Sequence, residues 1–285
     1  MLIIGCGYIG ERVARRLQEE GEPVAGVVRS QAAAEHIGSL GIPVIRCDLD
    51  SESLPAGSTE GQQLFYFAPP PSEGKEDTRM AGFLDALVNT GQPQRIVYIS
   101  TTGVYGDCQG EWVDETREAN PQVDRARRRL HAEQLLRSWV ERTGGELVIL
   151  RVAGIYGPGK LPLARLRKKT PMVAESDAPW TNRIHADDLV EICLAAMQRG
   201  GHGEVFNVSD GEPGNMTDYF NRVADMMDLP RPPVISLAQA REELSPGLLS
   251  YLGESRRLDN TKLVRELGVT LRYPDLSSGL PACAE

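Results

Sequence analysis

Gly5, Gly7 and Gly10 carry the clearest chemical pattern in the chain, in the run Gly5-Cys6-Gly7-Tyr8-Ile9-Gly10. Leu2-Ile3-Ile4 leads into them, and Ile9, Val13 and Leu17 follow at four-residue spacing. That is a strand, a glycine turn and an amphipathic helix. In such a unit the first glycine permits a tight turn and the second lets backbone approach a pyrophosphate. The third lets helix and strand pack closely. The N–H groups at the helix start face the anion, which puts Tyr8 and Ile9 beside it. The pattern implies a dinucleotide. A tight turn without ligand and a methyltransferase-type glycine loop are the alternatives at this point.

About twenty residues after the glycines, such chains meet the adenosine ribose. An acid there would hold the hydroxyls of NAD, but this chain has Arg29-Ser30. Arginine suits a 2′-phosphate through forked, charge-assisted hydrogen bonds, so NADP is expected over NAD. The plain alternative is a solvated loop arginine. Asp48, followed by Leu49, ends the third strand. An acid there can accept from an adenine amino group or close a turn. Ala68 and Pro69 end the fourth strand and should border the cofactor, because ligands of open parallel sheets lie beyond the carboxyl ends of the strands.

The elements that must position these residues follow from the apolar pattern. Strands are expected at 2–4, 23–28, 43–47, 64–68, 96–99, 147–151 and 204–208, and helices at 80–88, 215–227 and 261–267. Residues 171–182 read as loop, and residues 234–253 as helix and loop. The fold class is α/β, a Rossmann-type doubly wound parallel sheet with a small discontinuous C-terminal substrate lobe. Residues 1–160 form the NAD(P)-binding core. Residues 161–285 are mostly lobe, with 183–210 returning to the core. The 285 residues suffice for both, and 41% hydrophobic with 25% charged residues is ordinary for a soluble protein. A net charge of −9 opposes nucleic-acid partners while leaving room for a local basic pocket. The 5 cysteines are odd in number and lack metal-ligand spacing, so they read as buried cytosolic thiols without a metal, in a cytoplasmic protein. No apolar run approaches the ~20 residues that span a membrane, and the first strand at residues 2–4 leaves no room for a leader.

The fifth strand ends in Ser100-Thr101-Thr102-Gly103-Val104-Tyr105-Gly106-Asp107. Further on come LVILRVAGIYGPG (147–159), TNRIHADDL (181–189), EVFNVSDGE (204–212) and RRLDNTKLVRELG (256–268). With these stretches the chain resembles the extended short-chain dehydrogenase/reductase family, which includes sugar-nucleotide epimerases and dehydratases. The resemblance runs through essentially the whole chain, which removes the methyltransferase alternative. It implies an oxidoreductase or epimerase/dehydratase-like activity on a nucleotide-sugar-sized substrate. It also implies Ser100 and Ile155 beside the cofactor, Thr101 as the hydroxyl that orients substrate, and Thr102 and Tyr105 at the pocket; the plain alternatives are a strand-end hydroxyl satisfying local backbone for Thr101 and packing for Tyr105.

The family's next helix carries Tyr-x-x-x-Lys, the tyrosine as acid/base and the lysine at the nicotinamide ribose. Aligning Leu130-His131-Ala132-Glu133 with the segment after that lysine puts Arg129 at the lysine position and Arg125 at the tyrosine position. Between Asp107 and Gly157 the only tyrosine or lysine is Tyr156. Arginine can donate to a ribose but is not an ordinary proton relay. The chain therefore sits with atypical members, and a catalytically degenerate NADP(H)-binding sensor or regulatory protein stands as the alternative to an enzyme. Of Arg125, Arg127, Arg128 and Arg129, helical geometry turns one or two to the cleft. Arg183 and Arg257 are placed to reach a phosphorylated substrate or to make surface ion pairs. His185 reads as structural, and Asp187 as the cap of the helix that follows. In the family, helices near 78–89 and 125–141 form a dimer bundle. The arginines of the second argue for a monomer or weak homodimer.

Overall fold

The computed structural model describes residues 1–283. Seven strands form the central sheet: β1 (Leu2–Ile4), β2 (Ala25–Val28), β3 (Val44–Arg46), β4 (Gln63–Tyr66), β5 (Arg95–Thr101), β6 (Glu146–Val152) and β7 (Val205–Val208). Their order is β3-β2-β1-β4-β5-β6-β7, with every pair parallel. Central strands are apolar on both faces, as in β5 where Ile96, Val97 and Tyr98 are all buried, because helices cover both sides. On one side α1 (Tyr8–Glu19), α2 (Gln31–Ser39) and α5 (Ala186–Arg199) contribute Val13, Leu17, Ile37 and Ile192 to the core. On the other, α3 (Thr78–Thr90) and α4 (Asp124–Thr143) contribute Met80, Phe83, Leu136 and Trp139. This is a doubly wound Rossmann sheet. Its strand order reverses between β1 and β4, the place where such folds leave a crevice for ligand.

Beyond the carboxyl ends of β5 and β6, a smaller apolar cluster gathers Tyr156, Leu166, Met172, Tyr219, Phe220 and Val223 around α6 (Met216–Met226). Residues 171–182, expected as loop, hold the strands Met172–Val173 and Trp180–Thr181. These pair with Val234–Ile235 and Gly214–Asn215. Two-residue strands made by distant partners carry no local periodicity, so the sequence pattern does not mark them. The expected cap of α5 is also corrected. Asp187 lies in the first turn, and His185 is the N-cap, its Nδ1 accepting from Asp187 N–H at 3.2 Å. Burial lowers the His185 pKa and keeps that nitrogen available as an acceptor. All 5 cysteines are buried and unpaired. Among the described residues no helix is long and apolar enough to cross a membrane.

Candidate cofactor and substrate cleft

The glycine loop sits at the sheet's reversal. Gly5 and Cys6 donate to Val27 O, while Phe67 and Ala68 donate to Ile4 O, so the loop is wedged between the ends of β2 and β4. Gly5 has φ +87°, and a Cβ there would lie 2.5 Å from Ala68 N. Only glycine fits. A Cβ on Gly10 would come within 3.0 Å of Gly5 O and Ile3, which is the close helix–strand contact expected of the third glycine. Gly7 differs: nothing lies within 4 Å of its would-be Cβ. The α1 N-terminus has no side-chain cap, whereas α2, α3 and α6 are capped by Ser30, Asp77 and Asn215. Uncapped N–H groups beside open space fit an anion such as a pyrophosphate. Ile9 is buried, so its contribution to this surface is backbone. Tyr8 hydrogen-bonds Pro158 O at 2.9 Å and joins the loop to the turn after β6.

Beyond the end of β2, Arg29 is exposed. The nearby Asp50 is taken by Arg79 (Nε–Oδ1 2.8 Å), which holds its carboxyl below the usual range. Ser30 uses its Oγ to accept from Ala33 N–H and start α2. Asp48 accepts from Asp50 N–H at 3.2 Å and closes a turn, so the turn-closing alternative is the one the geometry supplies; Leu49 packs into the core.

A cleft of about 610 Å³ opens between the ends of β5 and β6 and the smaller lobe. Of the residues singled out from sequence, Ser100, Thr101, Thr102, Arg125, Arg129, Ile155 and Arg183 line it. Arg125 donates to Ser250 Oγ at 2.6 Å and lies 4.4 Å over the Tyr251 ring. Arg129, one turn on, donates to Ile99 O at 2.9 Å. Arg127 points outward to Asp124, and Arg128 is buried against Gly74 O. Thr101 accepts from Gly103 N–H at 3.2 Å, which starts the 3₁₀ turn Thr102–Tyr105. Arg183 lies 4.5 Å over Tyr219, its Nε buried without a partner. Neighbouring Asp210 is buried with Oδ2 unpartnered, and burial pushes its carboxyl up to about 7.

Two expected substrate contacts are corrected. Tyr105 is 1% exposed and away from the cleft; it donates to Asn207 Oδ1 at 2.7 Å, and burial pushes its phenol up to about 12. Arg257 does not line the cleft either. Its Nε donates to Gly110 O at 2.7 Å and its guanidinium lies 5.4 Å from the ring centres of both Trp112 and Trp180. The cleft also holds side chains not singled out from sequence: Lys160, Arg165, Trp180, Tyr251, Glu254 and Arg256. Its acidic lining residue is Glu254, paired to Arg256 at 3.0 Å; its basic ones are Arg125, Arg129, Lys160, Arg165, Arg183 and Arg256.

Residues 78–209 match the model of the NAD dependent epimerase/dehydratase family, and residues 1–55 that of the TrkA-N domain. A functionally unknown conserved protein from Silicibacter pomeroyi DSS is 31% identical, covering 99% of this chain and 96% of its own, with TM-score 0.84. The chain belongs to the NAD dependent epimerase/dehydratase family. Protein YeeZ of Escherichia coli (strain K12) is 27% identical over 96% of both chains. A UDP-glucuronic acid 4-epimerase from Bacillus cereus, in complex with UDP-glucuronic acid and NAD, shares the fold at 20% identity and TM-score 0.76, over 99% of this chain and 98% of its own. Within this epimerase/dehydratase fold, the glycine loop and the cation-lined cleft meet along the carboxyl edge of the sheet.

Proposed function

We propose that the protein binds NADP(H) on its glycine loop and acts on an anionic, nucleotide-sugar-sized substrate in the adjoining cleft. The activity is oxidoreductase or epimerase/dehydratase-like, without a tyrosine relay. The observation that carries this reading is the sign of the cleft: a cluster of guanidinium and ammonium groups with one carboxylate among them, in a chain of net charge −9. Arg125, Arg129 and Arg183 have no carboxylate within ion-pair distance among the described residues, so their charge is left for a ligand. The relative that holds UDP-glucuronic acid and NAD supports the same pairing of ligands here.

The bound cofactor would supply or accept a hydride. The N–H groups of residues 8–10 hold its pyrophosphate, Arg29 and Ser30 its adenosine ribose, and Ala68, Pro69, Ser100 and Ile155 border it. Arg129 donates to the nicotinamide ribose. Thr101 and Thr102 orient the substrate, and Arg125 sets a fixed positive charge beside the reacting oxygen. Residues 1–160 make the cofactor core and 161–285 the rest of the pocket, with 183–210 returning to the core.

If Arg29 meets a 2′-phosphate, NADPH binds about ten- to a hundredfold tighter than NADH, since a charge-assisted hydrogen bond contributes roughly 1.5–3 kcal/mol. Calorimetric titration of both cofactors, repeated with Arg29→Glu, reads this directly. Equal affinities in the parent protein would end the NADP assignment. Gly7→Val adds a side chain where nothing lies within 4 Å, so the fold should survive. Cofactor affinity should fall at least about tenfold, because the new methyl groups take the pyrophosphate's place. Unchanged affinity in a well-folded variant would put the dinucleotide elsewhere.

A second reading, a non-catalytic sensor or regulator, is favoured by Arg125 and Arg129 at the relay positions. Thermal shifts with NAD(P)(H) crossed against sugar nucleotides separate the two, since ligands of the native state raise Tm. A cofactor shift with no substrate shift supports the sensor.

A further inference from the structure

Two neighbouring parallel strands deliver opposite charges to the same end of the sheet. β2 and β3 pair with Val28 opposite Arg46, so Arg29 and the run Asp48-Leu49-Asp50-Ser51-Glu52 leave the sheet side by side. An arginine beside three carboxylates is ordinarily neutralised by one of them. Arg29 is not: it is exposed, with no carboxylate within ion-pair distance among the described residues. Each acid is occupied elsewhere. Asp48 Oδ1 accepts from Asp50 N–H at 3.2 Å. Glu52 accepts from Asp48 N–H at 2.8 Å and has the Arg46 guanidinium 3.9 Å away. Asp50 is held by a fork from Arg79, in which Nε meets Oδ1 at 2.8 Å and Nη2 meets Oδ2.

Asp50 is also the acid that feels Arg29. Arg79 first and Arg29 after it hold its carboxyl below the usual range, so the carboxylate lies within electrostatic reach of both. Arg79 is out of place by the rules of its own helix. It sits in the first turn of α3, where the helix dipole disfavours a cation. Its side chain is only 10% exposed, and it reaches back to Asp50 and to Pro69 O, beyond the end of β4. Its position is accounted for by these distant partners, not by α3.

We propose that Arg79 determines cofactor specificity from a distance: by gripping Asp50 it keeps Arg29 free for the 2′-phosphate of NADP(H). The proposal rests on the reading of Arg29 as the 2′-phosphate contact and goes one step beyond it. An arginine does not select a phosphate while a free carboxylate stands next to it. The carboxylate pairs with the guanidinium and repels the incoming dianion. With Asp50 forked to Arg79 its charge is compensated, and the 2′-phosphate meets an unopposed cation. Arg79 acts through Asp50 and Arg29, so it is a positioning residue.

The test is calorimetric titration of the full chain with NADPH and NADH at low ionic strength. Arg79→Met keeps the aliphatic stem and frees Asp50. It should cut the NADPH-over-NADH preference by roughly tenfold, through weaker NADPH binding with NADH unchanged. Arg79→Gln, which keeps a donor for Pro69 O, should do the same, and Arg79→Lys should retain most of the preference. Adding Asp50→Asn to Arg79→Met should restore the preference to within about threefold of the parent, because the carboxylate is then gone. The gap between parent and Arg79→Met should shrink between about 0.01 M and about 1 M salt, since Asp50 is 43% exposed and screening shortens from about 30 Å to about 3 Å. A preference that survives both neutral variants, a parallel loss of NADPH and NADH, or a loss that Asp50→Asn does not restore overturns the role of Arg79 and leaves the Arg29 contact standing. Equal affinities in the parent overturn the NADP reading and this proposal together.

Discussion

Glu133→Ala is expected to lower unfolding free energy by about 3–5 kcal/mol, because it strands a buried arginine. Glu133 is 1% exposed and Arg151 6%. They meet through two contacts, Nε–Oε1 at 3.2 Å and Nη2–Oε2 at 2.8 Å. Ser100 donates its hydroxyl to Glu133 Oε1 at 2.6 Å, and the Arg151 guanidinium lies 4.8 Å over the Tyr105 ring. Removing the carboxylate leaves one charge in a low-dielectric site and one hydroxyl without its acceptor. Glu133→Gln keeps the shape and should cost less. A double replacement by apolar residues of similar volume, Glu133→Met with Arg151→Leu, should be milder than Glu133→Ala, since it leaves no lone charge. Urea denaturation of the three variants orders them. A loss below about 1 kcal/mol for Glu133→Ala would show that water reaches Arg151 and that the pair is not buried in solution.

This pair also explains how the cleft is held. Glu133 lies one turn beyond Arg129 on α4, and Ser100 immediately precedes Thr101 and Thr102 at the end of β5. The ion pair ties the helix that presents the arginines to β6, and the Ser100 hydrogen bond ties it to the strand that presents the hydroxyls.

What could be read in advance follows from how local each signal is. The glycine loop was legible because turn, close approach and helix start all fall within residues 5–10, and the reasons for Gly5 and Gly10 reappear in their surroundings. Strand β6 was legible to within a residue at each end, 147–151 against Glu146–Val152, because a strand buried on both faces reads as an apolar run. Tyr105 left two readings open, pocket or packing, because its motif neighbours do reach the cleft; packing is the one the structure supplies. The 3₁₀ turn from Thr102 to Tyr105 places its two ends on one line but at different depths, and the phenol ends inside. Trp180, Glu254 and Arg256 were out of reach for another reason. They come together through a two-residue strand and a few long-range hydrogen bonds, and neither has a period to read. The four arginines of α4 were legible as a count, and helical geometry limited how many could face inward. Which of them do so depends on distant partners: Ser250 and Tyr251 hold Arg125, and Ile99 O holds Arg129.

Hydride transfer on the substrates of ordinary family members is expected to be slow, below about 1 s⁻¹. The two positions that resemble the family's tyrosine and lysine hold Arg125 and Arg129, and both line the cleft. A positioned acid/base contributes typically ~10²–10⁴ in rate, or roughly 3–5.5 kcal/mol of barrier. A guanidinium stays protonated at neutral pH and cannot exchange that proton on demand. The substitutes nearby are weak. Thr101 already accepts a backbone hydrogen bond, and Tyr105 is buried with its phenol pushed up to about 12. Tyr219 lines the cleft but is raised by burial to about 12, even with the Arg183 guanidinium opposing the shift. What Arg125 and Arg129 retain is charge. They can hold an anionic substrate and stabilise a developing oxyanion without moving a proton. NADPH oxidation and tritium exchange over a sugar-nucleotide panel, in the parent and in Arg125→Tyr/Arg129→Lys, make the comparison. The double variant should turn over faster than the parent and gain a basic limb in its pH profile. A parent enzyme that already turns over above about 1 s⁻¹ with a tyrosine-like basic limb would show that some other phenol has taken the relay's place.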